Sequence, residues 1–408
     1  MTLTKIKEFD TDKILNYLIV AYAFLIPISR GGIGVLSALI LFVWLFKKDI
    51  KEDFKQLIQN KFTLLLLIFI LYSFIGLLWS SNLNEGLNYA IRYWYYLPLL
   101  VIATNLKKEY YKLVISAFLL SMLISELISY GMYFELIAWT NKSSPYATPF
   151  MNHLQYSTYV VFTSLFLLNQ ILYEDDVKTK IFYSLFFVTV SANLFVNGGR
   201  IGYLTFFATL FLVFILNMKH KIKALFFSLL IILFSIYAAY NLSAIFQKRV
   251  NFTIKELHYI AEEKFHTSFG QRLAMFYVGS QIIKEYPLLG VGTGDEMDVL
   301  KEAIYTEYKK FKYLKDRRHF HNVFLHITVQ LGFIGLTLMV LLFYNFYRVK
   351  IENRYYSNVK YIFITVFLIT CMTGNMFHQQ FTMALFSLFG GLIVSQNLLE
   401  SKEKNLIC

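Results

Sequence analysis

The chain has 408 residues, of which 57% are hydrophobic and 16% are charged, and its formal net charge is +13. Because soluble domains carry about 25% charged residues, this composition predicts a polytopic membrane protein, whose length reflects the number of spans. Most basic residues lie in short segments between apolar runs, where they orient spans, so the charge does not indicate a nucleic-acid partner. Cys371 and Cys408 allow no disulfide framework.

Apolar runs of spanning or nearly spanning length follow one another along the chain. They cover roughly 14–29, 33–46, 62–79, 87–104, 112–138, 153–173, 181–197, 201–217, 222–245, 323–346, 359–377 and 381–398. The predicted fold class is all-α, a polytopic membrane protein with about 12 transmembrane helices and one large, partly helical outer loop. We expect transmembrane helices 1–9 in residues 1–245, the loop in 246–322, and helices 10–12 with a cytoplasmic tail in 323–408.

The Lys and Arg residues predict the orientation of these spans. Alternate connecting loops are rich in Lys and Arg, whereas the intervening short loops hold Arg30, Lys142 and Arg200. Basic loops remain in the cytoplasm, and both termini belong to the basic set. We therefore expect both termini in the cytoplasm and the long loop on the outer face.

The long loop is expected to contain three short amphipathic helices. The segment Thr253-Ile-Lys-Glu256 has the spacing of a capping box, which predicts a helix start there. A second helix is expected from Arg272 to Glu285, and a third from Asp295. The predicted apolar stripe of the second helix consists of Leu273, Phe276, Tyr277 and Ile283. Such helices lie on a membrane interface or cap a cavity between spans.

Arg200 is a candidate for binding a negatively charged ligand. It lies between two spans and is flanked by Gly198, Gly199 and Gly202. Glycines let a backbone approach a bulky ligand closely, and an arginine at the edge of the hydrocarbon region usually has a partner. The alternative is an interfacial arginine whose side chain snorkels to water.

Two further arginines have comparable alternatives. Arg92 lies near the outer end of its span, where it would contact a phosphate in a cavity or form an ion pair with Glu126 or Glu135. Arg272 opens the second loop helix. On sequence alone it is either a site residue or an ordinary surface arginine.

The end of the long loop offers a general base. His319 and His321 alternate directly before the next apolar run, and Asn322 follows them. An imidazole suits general base catalysis near neutral pH. A zinc site would need more ligands than this pair, so the sequence favours a base over a metal site.

The segment 288–294 alternates glycines with other residues. Successive backbone N–H groups in such a segment can form an anion-binding nest. It is not a P-loop, because no Gly-Lys-Ser/Thr follows. A plain turn is the alternative interpretation.

Several motifs occur together in a characteristic order. They are Asn197-Gly-Gly-Arg200-Ile-Gly-Tyr203, Arg272-Leu-Ala-Met-Phe276 followed by Tyr286-Pro-Leu-Leu-Gly-Val-Gly292, and His321-Asn-Val-Phe-Leu325 followed by Leu331-Gly-Phe-Ile-Gly335. Over roughly 190–340 this order and spacing resemble the O-antigen ligase and O-antigen polymerase superfamily. Arg200 follows Gly where the family more often has Ser or Thr, and Phe276 stands where Trp is common. Neither difference removes a proposed catalytic group.

The resemblance implies an inverting, metal-independent glycosyltransferase on the periplasmic face of the cell inner membrane, with no cofactor. Its donor is a glycan on undecaprenyl diphosphate. Its acceptor is a hydroxyl of lipid A-core for a ligase, or of the next repeat unit for a polymerase. Membrane lipids are the other expected partners, and no nucleic acid is expected.

The resemblance also implies roles for the candidate residues. His321 would take the acceptor proton, and Arg200 and Arg272, with Arg92 as a further candidate, would hold the diphosphate. A permanent planar guanidinium suits phosphate in the absence of a metal. The supporting residues would be Asn322, Gly199 and Tyr203.

The length of a second outer loop helps to distinguish a ligase from a polymerase. Polymerases of this superfamily often have a second large outer loop, whereas the loop at about 139–152 is short, which favours a ligase. The main alternative is an O-antigen polymerase. A lipid-linked oligosaccharide flippase would also have many spans and intramembrane arginines, but it would not need a histidine beside a folded outer loop.

Overall fold

The computed structural model describes residues 10–138 and 146–407, with side chains up to residue 404. Helices dominate, and no strand occurs in these described ranges. The α-helices, α1 to α17 in chain order, are Thr11–Leu25, Arg30–Leu45, Ile50–Gln59, Lys61–Ile75, Leu83–Ile91, Leu97–Asn105, Tyr111–Tyr133, His153–Tyr173, Val177–Leu194, Arg200–Asn217, Lys221–Leu242, Ala244–Ala261, Ser268–Glu285, Glu296–Thr306, Val323–Arg348, Arg354–Cys371 and Gln380–Ile407. Lys142 and residues 139–145, the first half of the loop predicted at about 139–152, lie outside the described residues.

Every predicted apolar run overlaps one or more of these helices. By length and composition, six helices among the described residues can cross a membrane: Lys61–Trp79, Lys108–Tyr133, Arg200–Asn217, Lys221–Leu242, Val323–Arg348 and Gln380–Lys404. This agrees with an all-helical, polytopic membrane protein. The figure of about 12 crossings stays a prediction, because α1 has 15 residues and a span needs about 20.

The predicted run at 87–104 is divided in the structure. Helix α5 ends at Ile91, a 3-10 turn covers Arg92–Tyr96, and α6 follows. Pro98 lies in the first turn of α6, where its missing N–H group is not needed for helical hydrogen bonding. The break therefore falls where the sequence places the proline.

The core lies around α17, which packs against α6, α8 and α16. The most apolar window of α17 is 83% buried, whereas that of α11 is 17% buried. Because lipid tails are as apolar as the interior of the bundle, the exposed apolar surface of α11 is that expected of a helix facing lipid. The membrane environment thus explains why the most hydrophobic helices are not the most buried.

The contacts among loops agree with the predicted division into two faces. On one side, Lys47 donates to Asn105 over 2.7 Å and Lys404 pairs with Glu352. All four residues belong to segments expected on the basic side. On the other side, the segment 246–322 packs on the connection between α4 and α5. Which side is cytoplasmic stays a prediction.

The first helix of the segment 246–322 starts earlier than predicted. Helix α12 begins at Ala244, where Ser243 caps it by accepting a hydrogen bond from the Phe246 N–H. Thr253 lies inside the helix and donates to the Arg249 carbonyl over 2.8 Å. The capping-box interpretation of Thr253 and Glu256 is therefore wrong, because Ser243 already provides the cap and Glu256 has a tertiary partner.

The second helix buries a different face from the predicted one. Thr267 caps α13, which begins at Ser268 and ends at Glu285. The side chains of Leu273, Phe276 and Tyr277 are exposed. The buried face consists of Gly270, Ala274, Met275, Val278, Gly279 and Ile282. Small residues allow α13 to pack closely against α15. The prediction that the large apolar residues form the buried face is therefore wrong. The third helix, α14, begins at Glu296 after Asp295, as predicted.

The glycine-rich segment 288–294 forms backbone hydrogen bonds with α15 where that helix is interrupted. Gly332 has φ +66° inside α15, and the Val291 N–H donates to the Val329 carbonyl over 2.9 Å. The N–H groups of Gly292 and Thr293 donate to the carbonyls of Gln330 and Gly76, at 3.0 and 3.2 Å. These donors have protein acceptors, so the anion-nest interpretation is wrong. The segment is a structural connection, which we call the clasp (residues 288–294).

Asp295 fastens the end of the clasp to the connection between α4 and α5. Its buried carboxylate accepts hydrogen bonds from the Ser80 hydroxyl and the Asn82 N–H, both at 2.9 Å, and from the Ser81 N–H. A buried carboxylate is tolerated when its oxygens are satisfied in this way. Asp295 therefore links distant parts of the chain on one face.

We predict that Asp295→Ala lowers the midpoint of thermal unfolding in detergent, because the Ser81 and Asn82 N–H groups lose their acceptor. The free energy of unfolding is expected to fall by about 3 kcal/mol. Asp175→Ala is the control, since that side chain is exposed and makes no hydrogen bond within the described part of the chain. Equal midpoints for both variants would contradict the role of Asp295.

We predict that single cysteines at Asn84 and Lys264, in a background without native cysteines, react with a membrane-impermeant thiol reagent in whole cells. A cysteine at Lys55 should react after lysis and not before. All three positions are exposed in the structure, so a cysteine that does not react in whole cells is shielded by the membrane and not by the protein. Labelling of Lys55→Cys in intact cells would reverse the predicted orientation.

Candidate active site

Two of the predicted site residues line one cavity. The cavity has a volume of about 200 Å³ and lies where α13 faces the residues that precede α15. Its lining residues are Ser268, Gln271, Arg272, Met275, Arg317 and His321. A larger cavity, of about 440 Å³, lies at the opposite end of α8 beside Tyr173 and Arg354 and holds none of the predicted residues. We refer to the smaller one as the Arg272–His321 cavity.

His321 is held in an unusual backbone conformation. Its φ is +53°, a region that residues with a side chain adopt infrequently. Its N–H group donates to Nδ1 of His319 over 3.1 Å, and the two imidazole centroids are 4.1 Å apart. Strained backbones of this kind concentrate at functional sites. His319 therefore positions His321 through a backbone hydrogen bond.

Asn322 acts as the N-cap of α15. Its side-chain oxygen accepts from the Leu325 N–H over 3.0 Å, and its amide donates to the Met372 carbonyl over 3.3 Å. These contacts support the junction between His321 and the helix. The supporting role expected for Asn322 thus has a physical basis in helix capping.

The imidazole of His321 is neutral and has an unpartnered ring nitrogen. Nδ1 is buried and has no hydrogen-bond partner among the residues that the structure describes. Burial lowers the pKa of His321 to about 3, and the charges of His319, Arg272 and Arg317 act in the same direction. Burial also lowers the pKa of His319, to about 4. A neutral ring can accept a proton from a ligand.

Arg272 is a partly buried cation without an acidic partner in contact. Burial lowers its pKa, and the nearby charge of Arg200 adds to this, while Glu256 acts in the opposite direction. Across residues 10–138 and 146–404, no carboxylate lies within ion-pair distance of Arg272. A buried charge is costly unless it is paired. Arg272 therefore favours binding of an anion in the cavity.

Arg200 already has a protein partner. It pairs with Glu256, whose side chain is fully buried, and it donates to the Thr253 hydroxyl over 3.1 Å. Burial alone would raise the pKa of Glu256, but hydrogen bonds from Arg200 and from the Phe269 N–H lower it. Glu256 therefore joins the starts of α10 and α13 and keeps Arg200 close enough to act on Arg272.

Gly199 and Tyr203 support the start of α10. A Cβ atom on Gly199 would lie 2.0 Å from the Ser157 hydroxyl oxygen, so the glycine allows close packing against α8. Tyr203 stacks on Phe195 with a centroid distance of 5.4 Å and meets the edge of Phe246 at 4.8 Å. Both residues thus position Arg200 through protein contacts.

Arg92 lies apart from the cavity. It is exposed in the 3-10 turn before α6. Within the described ranges it forms no ion pair, whether with Glu126, Glu135 or another acid. Burial lowers the pKa of His378 to about 3, and the charges of Arg92 and His319 contribute. Arg92 is therefore on the same side of the molecule as the cavity without lining it.

Sequence reasoning assigned no role to Arg317, Gln271 or Ser268, although all three line the cavity. Arg317 donates to the Gln271 side chain. The spacing in Arg317-Arg-His-Phe-His321 could have indicated this role, because a cation four residues before a histidine can line the same cavity as that histidine. Gln271 and Ser268 carry no comparable signal, since the start of α13 was predicted at Arg272.

Residues 185–340 match the sequence model of a protein family described as O-antigen ligase. This range contains Arg200, Arg272, Arg317 and His321. The described chain is all-helical with six helices able to cross a membrane, and its residues 185–340 are similar to the O-antigen ligase and polymerase superfamily, a group of glycosyltransferase-like enzymes. No curated protein matches the chain.

We predict that His321 in the unliganded protein stays neutral down to about pH 5. Its folded pKa is about 3, whereas the ordinary value is 6.5. Protons therefore favour the unfolded chain between those values, and stability falls as pH is lowered through that window. NMR of histidine-labelled protein, with His321→Asn for assignment, would measure the pKa. A value near 6.5 would contradict the buried, cation-flanked environment.

Proposed function

We propose that the chain is a glycosyltransferase of the O-antigen ligase type, which moves a glycan from undecaprenyl diphosphate to a sugar hydroxyl of lipid A-core. The observation that carries the proposal is the Arg272–His321 cavity. It places a partly buried guanidinium without a contacting acid beside a neutral imidazole with a free Nδ1. This pair suits a reaction in which a diphosphate leaves and a hydroxyl loses its proton.

The reaction can be written with these groups alone. His321 Nδ1 accepts the proton of the acceptor hydroxyl while the hydroxyl oxygen attacks the anomeric carbon. The bond between that carbon and the diphosphate oxygen breaks, and the electron pair leaves with the lipid diphosphate. Attack opposite to the leaving group inverts the anomeric configuration. Arg272 and Arg200 stabilise the developing negative charge, so the proposed reaction needs no cofactor or metal.

The low pKa of His321 suits this scheme once the donor is bound. An imidazole with a pKa of about 3 is a weak base. The negative charges of a diphosphate would offset those of Arg272 and Arg317, and an anion near a histidine raises its pKa. Donor binding would therefore strengthen the base in the complex that reacts.

The proposed location is the cell inner membrane, with both termini in the cytoplasm and the cavity on the periplasmic face. Phe269, Leu273 and Phe276 expose apolar side chains along α13. Membrane lipids or the polyprenyl tail of the donor would contact this surface. Arg92 remains a candidate for a contact with the donor outside the cavity.

Ligase is favoured over O-antigen polymerase because the loop at about 139–152 is short in sequence. Both activities would use the same donor chemistry and differ in the acceptor. A strain lacking the gene distinguishes them. Loss of a ligase leaves lipid A-core without polymer while lipid-linked polymer accumulates, whereas loss of a polymerase leaves single repeat units on lipid A-core. A flippase would not require His321.

We predict that His321→Ala lowers glycan transfer by about 10²–10⁴-fold, the usual effect of removing a general base. The assay is transfer from lipid-linked donor to lipid A-core with purified protein at matched amounts. His319→Asn should retain most activity, since its side-chain oxygen can still accept the His321 N–H, and His319→Ala should lie between the two.

A chelator should not change the rate. Inactivation by EDTA, together with equal losses for His319→Asn and His321→Ala, would identify the histidine pair as metal ligands. That result would contradict the proposed mechanism.

A further inference from the structure

Arg317 shares the cavity with Arg272 and His321. It lies in the segment that connects α14 to α15, whereas Arg272 lies on α13, so two separate elements bring two guanidinium groups to the same space. The Arg317 guanidinium donates to the Gln271 side-chain oxygen. This contact orients the planar group, and it leaves most of its five N–H donors for other acceptors.

The two cations have no contacting acid of their own. Along the described chain up to residue 404, no carboxylate is within ion-pair distance of Arg317 or Arg272. Both side chains are partly buried, and their charges together lower the pKa of His321, after burial itself. Like charges that share a partly buried cavity repel one another, and a bound anion removes that cost.

We propose that Arg317 binds the diphosphate of the lipid-linked donor together with Arg272. This inference rests on the proposed function and adds a binding residue to it. Two guanidinium groups on opposite elements match two phosphate groups, and each can donate two parallel hydrogen bonds. The cavity of about 200 Å³ is lined by both guanidinium-bearing residues, and a bound diphosphate would displace water from it.

Arg200 is less suited to this contact. Its guanidinium is engaged by Glu256 and by the Thr253 hydroxyl, and it is absent from the cavity lining. Its charge reaches the site through space, as its effect on Arg272 shows. Arg317 therefore supplies the second direct cation, and Arg200 acts at longer range.

The test measures binding rather than transfer. Purified full-length protein in nanodiscs of neutral lipid is titrated with inorganic pyrophosphate, and Arg272→Gln, Arg317→Gln and Arg318→Gln are compared with the unsubstituted protein. Arg318 is the matched control, because it is adjacent in sequence, exposed, and outside the cavity lining. Thermal unfolding confirms that each variant folds.

We expect Arg317→Gln and Arg272→Gln each to weaken pyrophosphate binding by about 10-fold or more, the effect of losing a charge-assisted contact. Arg318→Gln should bind as the unsubstituted protein does. Arg317→Lys should bind less tightly than the unsubstituted protein, because an ammonium group cannot make the parallel pair of hydrogen bonds. Inorganic phosphate should bind more weakly than pyrophosphate.

The other outcomes separate this inference from the proposed function. Loss with Arg272→Gln but normal binding with Arg317→Gln would overturn the role of Arg317 and leave the function intact. Normal binding by both variants, or no binding by the unsubstituted protein, would overturn the diphosphate site itself. Equal weakening by all three substitutions, or displacement of pyrophosphate by phosphatidylglycerol in the nanodisc, would show general attraction to anions and overturn the assignment.

Discussion

The break of α15 at Gly332 is the feature on which the site depends. There the helix leaves the carbonyls of Val329 and Gln330 to the N–H groups of the clasp. The clasp holds α13 against the start of α15, and Asp295 ties its end to the α4–α5 connection. One wall of the Arg272–His321 cavity belongs to α13 and the other precedes α15, so these hydrogen bonds join the two elements on which the cavity is built.

Three arginines with few acidic partners surround the Arg272–His321 cavity. Arg200, Arg272 and Arg317 lie near one another, and Glu256 pairs with the first of them. Glu256 also accepts the Phe269 N–H at the start of α13. The acid therefore fixes the architecture around the cations without neutralising the cavity. The uncompensated charge in the cavity costs stability in the free protein, and a bound diphosphate would offset that cost.

Much of the fold was predictable from sequence, because apolar runs in a membrane protein mark helices directly. The start of α14 after Asp295 followed from residue type. The face of α13 did not, because Leu273 and Phe276 remain exposed while Ala274 and Gly279 pack. Small residues let α13 approach α15 closely, so apolar periodicity does not identify the packed side.

The candidate site also contains some residues that the sequence indicated and others that only the structure revealed. Arg272 and His321 were found through their motifs, and the structure brings them to one cavity. Arg317 and Gln271 were not assigned a role, because their value lies in a contact between segments far apart in the chain. Gly199 was expected to admit a ligand, but the space beside it is filled by Ser157. Sequence motifs thus pointed to the candidate groups, while their partners required the tertiary structure.

The cations and the base in this site depend on each other. Burial lowers the pKa of His321, and the charges of Arg272 and Arg317 lower it further, so the proposed base would be neutral but weak without a bound anion. A diphosphate bound between the arginines would offset their part of this effect. Binding the leaving group and raising the basicity of His321 would then be one electrostatic event. This coupling explains why a histidine buried among arginines can still suit proton transfer, since the reacting complex contains negative charges that the free protein lacks.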